Sequence, residues 1–229
     1  MSMGDGSSLQ PVLLLLTGLV LGMRYAFDRD HVAAVTHFVS LEPDPLKSAW
    51  FGLRWAIGHA VAVLVLGSLI LLLGFKFDPS FERYAELLVG VSLLVLGVWR
   101  LILLVQEGRH AHPHAHPQKK HSHQHSHEPG KGHVHWFAPT LVGLVHGASG
   151  TAEVFVLIPI TFISTSWLAY TYIGLFSFGC AASMSGYGYL AGRFYRRASE
   201  TGKRIYRALV VLTSLSGLVL GLVWIFKNL

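Results

Sequence analysis

The segment from Gly22 to His37 follows an apolar run and contains two aspartates, two histidines and two arginines. Ionisable groups near hydrocarbon are costly unless they are paired, hydrated or bound to an ion. Asp carboxylates and His imidazoles are also ligands for divalent transition metals. The segment therefore predicts a metal site in an apolar environment, with Asp28, Asp30 and His31 as ligands.

If this segment is helical, the spacing of its residues determines which of the predicted ligands can face the same ion. On a continuous helix, Asp28 and His31 lie one turn apart on one face, while Asp30 lies off that face. Arg24 lies four residues before Asp28 and would pair with a carboxylate. The alternative is an ordinary helix end whose charges snorkel to the membrane surface. We expect three residues of the segment to surround the ligands: Arg24, Tyr25 and His37.

Two further histidines lie inside predicted apolar spans. His59 stands between Gly58 and Ala60, and His146 precedes Gly147, so another backbone can approach each of them closely. Each alone could be an ordinary interhelical hydrogen-bonding residue. Together with the aspartates they favour a ligand set. The predicted intramembrane ligands are Asp28, Asp30, His31, His59, His146 and, as a weaker member, Glu153.

Ten of the fourteen histidines lie in one polar segment in the middle of the chain. They are His110, His112, His114, His116, His121, His123, His125, His127, His133 and His135. Alternate histidines cannot all converge on one rigid helical site, but a flexible chain of imidazoles binds Ni, Cu, Co or Zn ions loosely. The alternative is a solvated linker. We predict an auxiliary metal-binding loop over residues 108–135 that could also dock a cytoplasmic metallochaperone.

The composition indicates an integral membrane protein. The 229 residues are 52% hydrophobic and 13% charged, with a mean hydropathy of +0.49. Soluble domains carry about 25% charged residues. The single Cys180 excludes a disulfide framework. The net charge of +6 indicates membrane topology rather than nucleic-acid binding, because the basic residues lie between apolar runs.

We predict an all-α membrane protein with six transmembrane helices, since a span needs about 20 apolar residues. The predicted spans are Leu9–Tyr25, continuing as helix to Ser40, and then Trp50–Leu73, Tyr84–Val105, Phe137–Phe162, Trp167–Ala191 and Ile205–Phe226. Lys and Arg are concentrated after the first, third and fifth spans. The positive-inside rule then places both termini outside and the His-rich loop in the cytoplasm, with a bacterial inner membrane as the default location.

An internal repeat divides the chain into two halves. Gly18 to Gly22 matches Gly143 to Gly147, and Ser92 to Gly97 matches Ser216 to Gly221 at nearly the same offset. Since each half holds an odd number of spans, the halves must have opposite orientations, an architecture that many transporters share. We therefore predict two inverted three-helix repeats, residues 1–107 and 136–229, joined by the His-rich loop.

At these residues the chain resembles the nickel/cobalt transporter superfamily, in particular its UreH-like branch of membrane metal permeases. The segment Arg24 to His31 is similar to the motif Arg-His-Ala-x-Asp-x-Asp-His, and Gly58 to Ala60 resembles the Gly-His-Ser/Ala segment. Gly143 to Glu153 is similar to a Gly-Leu-x-His-Gly segment of the UreH-like branch. Two positions depart from the pattern, because Tyr25 stands where the motif has His and Arg29 where a small residue is usual. The resemblance implies movement of nickel or cobalt across a membrane.

The function predicted from the sequence is transport of a divalent transition metal, Ni2+ or Co2+, with Zn2+ or another divalent ion as alternatives. Carboxylates would attract the hydrated cation, and imidazoles would replace part of its water shell. The expected partners are the lipid bilayer and the metal ion; we expect no permanently bound cofactor and no enzymatic activity. Three alternatives stay open: an intramembrane metalloenzyme, a membrane-anchored metal-binding protein, and an exporter of a small anion such as sulfite.

Overall fold

A computed structural model of the chain describes residues 6–74, 78–109, 137–149, 158–163 and 165–229. These residues form α-helices and no strand, which confirms the predicted all-α class. The helices are α1 (Gly6–Tyr25), α2 (Arg29–Leu41), α3 (Pro45–Leu73), α4 (Pro79–Arg109), α5 (Ala138–Gly147), α6 (Ile158–Thr161), α7 (Ser166–Thr201) and α8 (Lys203–Asn228).

Among the described residues, three helices are individually long and apolar enough to cross a membrane. The spans lie in α3, α4 and α8, with mean hydropathies of 2.5, 2.5 and 2.4. The bent pair α1 and α2 makes a fourth if it is one span. Helix α7 has 36 residues and is long enough, but its many Tyr, Ser and Gly residues leave it outside this group. The protein is therefore an integral membrane protein. In the described residues, three or four of the six predicted spans are long and apolar enough to cross a membrane.

The first predicted span is broken rather than continuous to Ser40. Helix α1 ends at Tyr25, and the amides of Phe27 and Asp28 bond the carbonyls three residues earlier at 3.0 and 3.1 Å. Asp28 then has extended backbone geometry, and its carbonyl accepts the Val32 amide at 3.0 Å. Asp is among the residues that most favour the position preceding a helix. The axis bends by 57° here, so the prediction of one continuous helix is wrong.

The fourth predicted span, Phe137–Phe162, is described only in part. Helix α5 ends at Gly147, and α6 begins at Ile158. The predicted ligand Glu153 and the ten loop histidines lie outside the described residues.

Helix α2 lies at the centre of the bundle. Ten of its 13 residues are buried, and it contacts α3, α4, α5, α7 and α8. Around it, α1 packs on α7 and α5 packs on α3. Glycines allow these close approaches: a Cβ atom at Gly22 would lie 2.0 Å from the Phe176 carbonyl oxygen, and one at Gly143 would lie 1.9 Å from that of Trp55.

The contacts between α4 and α8 are reciprocal. Gly97 packs on Leu218 and on the Ser214 carbonyl, while Gly221 packs on Leu94 and on the Gly90 carbonyl. These contacts run in opposite directions along the two helices, so α4 and α8 are antiparallel. Gly97 of α4 therefore contacts α8 in the same way as Gly221 of α8 contacts α4.

Charged residues gather at the two ends of this antiparallel bundle. At one end, a groove of about 640 Å³ lies between the start of α3 and the last turns of α7 and includes Arg193, Arg196 and Arg197. The start of α8, with Lys203 and its basic neighbours, continues this end, which we call the basic end. At the opposite end, Arg83 Nε donates to the Asn228 carbonyl at 2.6 Å.

Candidate metal site

The structure brings together Asp30, His31 and His146. One ligand atom from each residue lies within 4.8 Å of the other two. The Asp30 Oδ2 atom is 3.2 Å from Nδ1 of His146 and 3.7 Å from Nε2 of His31. Asp30 is 4% exposed, and both histidines are 0% exposed. The three side chains therefore form one buried carboxylate–imidazole group.

The helix break positions two of these residues. Because α2 starts at Arg29, Asp30 and His31 occupy its first turn, where the helix dipole favours negative charge. His146 lies in the last turn of α5. A Cβ atom at the next residue, Gly147, would lie 2.5 Å from the His59 carbonyl oxygen. The glycine lets α5 approach α3 closely enough for His146 to reach the group.

Hydrogen bonds outside the group determine which imidazole nitrogens carry protons. His31 Nδ1 lies 3.1 Å from the Tyr25 carbonyl oxygen, and a carbonyl only accepts, so Nδ1 donates. Ser92 Oγ donates to the Val89 carbonyl at 2.8 Å and lies 3.2 Å from His146 Nε2. Since the Ser92 proton is already used, His146 Nε2 donates to Ser92 Oγ.

These tautomers leave lone pairs pointing into the group. In the neutral imidazoles, His31 Nε2 and His146 Nδ1 carry no proton, and neither atom has a hydrogen-bond partner among the described residues. Both nitrogens face the Asp30 carboxylate, which also only accepts. Buried acceptors facing one another are unfavourable unless a proton or a metal cation lies between them. A borderline metal ion that accepts carboxylate oxygen and imidazole nitrogen suits this donor set.

His59 lies beside this group rather than within it. Its ring centroid is 5.4 Å from that of His31, and the ring stacks on Trp55 at 5.2 Å. The residue is 1% exposed, and neither ring nitrogen has a hydrogen-bond partner in the part of the chain that the structure describes. His59 is therefore a buried residue whose ring nitrogens could bind a metal ion, and it is adjacent to the three candidate ligands.

Aromatic side chains form the wall of the site. The Tyr25 ring lies 4.7 Å from His31 and 5.4 Å from His59, edge-on to the first. The Trp55 ring lies 4.5 Å from His31. These rings exclude water, which strengthens the interaction of the carboxylate with a cation. Sequence reasoning missed Trp55 and Ser92; Trp55 could have been found because it lies one helical turn before His59.

The other predicted residues of the motif occupy different places. Asp28 is half-buried and precedes α2, and Asp30 is the carboxylate that lies 3.7 Å from His31 Nε2. Arg24 is exposed at the end of α1. His37 is buried further along α2 against Gly217, where its Nδ1 donates to the Ala33 carbonyl at 2.6 Å.

Together, the helices and the buried group define an all-helical membrane protein with an Asp/His cluster that could bind a metal ion. The chain is similar to the urease accessory protein UreH of Bacillus sp. (strain TB-90). The two are 27% identical over 214 residues, which cover 93% of this chain and 91% of the relative. This similarity confirms the resemblance to the UreH-like branch. No protein-family model and no solved structure matches the chain.

Proposed function

We propose that this protein transports a divalent transition-metal cation, nickel or cobalt, through the Asp30–His31–His146 site. The carrying observation is that one buried carboxylate oxygen and two buried imidazole nitrogens, each able to bind a metal ion, lie within 4.8 Å of one another. The similarity to a relative named urease accessory protein UreH supports the proposal. The family resemblance noted from the motifs supports nickel or cobalt as the ion.

The arrangement of helices supports a transporter built from two inverted repeats. The equivalent residues Gly97 and Gly221 make reciprocal contacts in antiparallel helices. The break between α1 and α2 has a counterpart in the second half, where α5 ends at Gly147. Transporters of this architecture bind their cargo near the membrane midplane at discontinuous helices. Asp30 and His146 lie at two such helix ends, one from each half.

Each residue of the site has a distinct role in this proposal. The Asp30 carboxylate attracts the cation and neutralises part of its charge. His31 Nε2 and His146 Nδ1 replace water ligands, and His59 accepts the ion when it moves from the first position. Because the three central residues are at most 4% exposed, we infer that this conformation is occluded. Movement of α2 or α5 would open the site to one side of the membrane.

The positions of Arg24 and Arg29, the two arginines of the motif, favour a cation over a small anion such as sulfite. Arg24 and Arg29 are exposed, whereas the buried group is centred on a carboxylate. The basic end would face the cytoplasm by the positive-inside rule. The His-rich loop, which follows α4 at this end, would then buffer metal there or hand it to a metallochaperone.

Cellular metal content tests the proposal. We expect His31→Ala and His146→Ala to abolish the nickel or cobalt accumulation, or depletion, that expression of the native protein causes. Arg29→Ala is the matched control, since this exposed residue is the immediate neighbour of Asp30, and it should behave like the native protein. Metal content would be measured by mass spectrometry at equal amounts of protein in the membrane. Normal behaviour of both histidine variants would contradict the site assignment.

A further inference from the structure

The groove at the basic end has the shape and charge of a binding surface. Three exposed arginines of α7 line this space of about 640 Å³, and Pro45 at the start of α3 lines it as well. Close packing of the two helices fixes its walls: a Cβ atom at Gly192 would lie 2.6 Å from Ser48 Oγ of α3. The arginines are therefore presented on a groove between two packed helices rather than on a free chain segment.

The groove carries more positive than negative charge. Arg196 Nε donates to Glu200 Oε1 at 3.1 Å, so these two residues neutralise each other. Arg193 and Arg197 lie one helical turn apart, and neither pairs with a carboxylate within the described ranges. A guanidinium offers two parallel N–H donors to a phosphate group. The groove is therefore complementary to a ligand that carries a phosphate.

The length of α7 places the groove at the depth of the lipid headgroups. With 36 residues, the helix is about 54 Å long at about 1.5 Å per residue. A bilayer is about 40–45 Å thick including its headgroups. Because arginines are costly in hydrocarbon, the end that extends beyond the apolar core is the basic end. Tyr189 and Phe194, which are exposed and also line the groove, are of the residue class that is enriched at the membrane surface.

An exposed apolar surface adjoins the arginines. Leu190 and Phe194 lie one turn apart on α7 and are 65% and 59% exposed. They lead from the groove towards the apolar part of the helix. A phospholipid supplies both a phosphate for the arginines and a hydrocarbon chain for this surface, whereas a free phosphate supplies only the first. The chain's own residues 110–136 contain three lysines and one glutamate, so they lack the negative charge that the groove favours.

We propose that this groove binds the headgroup of an anionic phospholipid. Arg193 and Arg197 bind the phosphate, and an acyl chain lies along Leu190 and Phe194. The positive-inside rule places the basic end in the cytoplasmic leaflet, which carries anionic lipid, and basic pockets between helices on that side bind such headgroups. The site is separate from the Asp/His group and does not depend on the transport function. A lipid bound here bridges the start of α3 and the end of α7.

Lipid titration of the purified full chain in a non-ionic detergent tests the proposal. Native mass spectrometry counts bound phosphatidylglycerol or zwitterionic phosphatidylcholine molecules, and we expect the first to bind more tightly. Arg193→Gln combined with Arg197→Gln should weaken phosphatidylglycerol binding about 25-fold, at about fivefold for each basic residue, and should leave phosphatidylcholine binding unchanged. Arg204→Gln combined with Arg207→Gln is the matched control. It removes the same charge from exposed positions of α8 that do not line the groove, and it should change the affinity by less than about threefold.

A third variant tests the groove by a gain of binding. Glu200→Gln removes the partner of Arg196 and should tighten phosphatidylglycerol binding, and it provides the decisive measurement if the double arginine variant does not fold. The proposal is overturned if Glu200→Gln leaves that affinity unchanged or weakens it, or if the control pair loses as much affinity as the groove pair, since the basic end would then act only as diffuse charge. Equal affinity for phosphatidylcholine, or displacement of phosphatidylglycerol by an equal concentration of inorganic phosphate, would also overturn it.

Discussion

Replacing either aspartate of the motif by asparagine distinguishes the broken helix from a continuous one. Asp30 Oδ2 lies within 3.7 Å of a nitrogen from each of two histidines, whereas Asp28 is half-buried and precedes α2. Asp30→Asn removes a charged ligand. Because changes behind a ligand already weaken metal affinity about 10–100-fold, we expect a loss of at least about 100-fold, or about 2.7 kcal/mol.

The same substitution at Asp28 should have little effect. Asn precedes helices as favourably as Asp does, so α2 should still begin at Arg29. The charge lost is outside the buried group, and we expect Ni2+ affinity to change by less than about threefold, or about 0.6 kcal/mol. Binding would be measured by isothermal titration calorimetry on the purified chain with its ten loop histidines replaced by glutamine, so that the loop does not compete for the ion.

Stability without metal gives a second readout for Asp30→Asn. An asparagine amide can donate a hydrogen bond to His146 Nδ1, whereas the native carboxylate faces that lone pair. We therefore expect the metal-free variant to be at least as stable in thermal unfolding as the native protein, while losing metal affinity. Loss of binding in Asp28→Asn but not in Asp30→Asn would refute the broken-helix geometry and restore the pairing of Asp28 with His31.

Three further outcomes follow from the packing. Trp55 lies 4.5 Å from His31, so Ni2+ or Co2+ should quench its fluorescence, and Trp55→Phe should abolish that quenching while binding persists. Gly143→Ala should lower thermal stability by about 1–3 kcal/mol, because its Cβ atom would overlap a backbone carbonyl; Gly174→Ala, which meets nothing within 4 Å, is the control. Asp44→Ala should cost about 0.5–2 kcal/mol in chemical unfolding, because its side chain accepts two amides at the start of α3; a loss below that range would contradict the capping role.

The sequence alone was sufficient to predict the helical membrane class and the residue types of the site. Apolar runs and a low charged fraction depend only on composition, and His59 and His146 stood out as polar residues in apolar spans. The choice between Asp28 and Asp30 could not be predicted from helical spacing, because it depends on where α2 begins. The apolar run before the motif suggested one continuous helix, although Asp28 is of a residue type that favours the position before a helix.

Residues that act through tertiary contacts were harder to predict. Ser92 determines the His146 tautomer from α4, and no local pattern links these two residues. Arg100 of α4 appeared to be one of many basic residues at the end of a span, and only the packing of α2, α4 and α8 buries it. A single sequence shows spacing along one helix but not which faces of separate helices meet.

The most direct test of the central claim is metal flux into liposomes that contain the purified protein. A metal-sensitive dye inside the vesicles would report entry of Ni2+ and Co2+, with sulfite uptake measured in parallel. The transport proposal predicts flux of one or both metals through the native protein, no sulfite uptake, and loss of metal flux in Asp30→Asn but not in Asp28→Asn. Sulfite uptake without metal flux, or metal flux that is unchanged in Asp30→Asn, would contradict it.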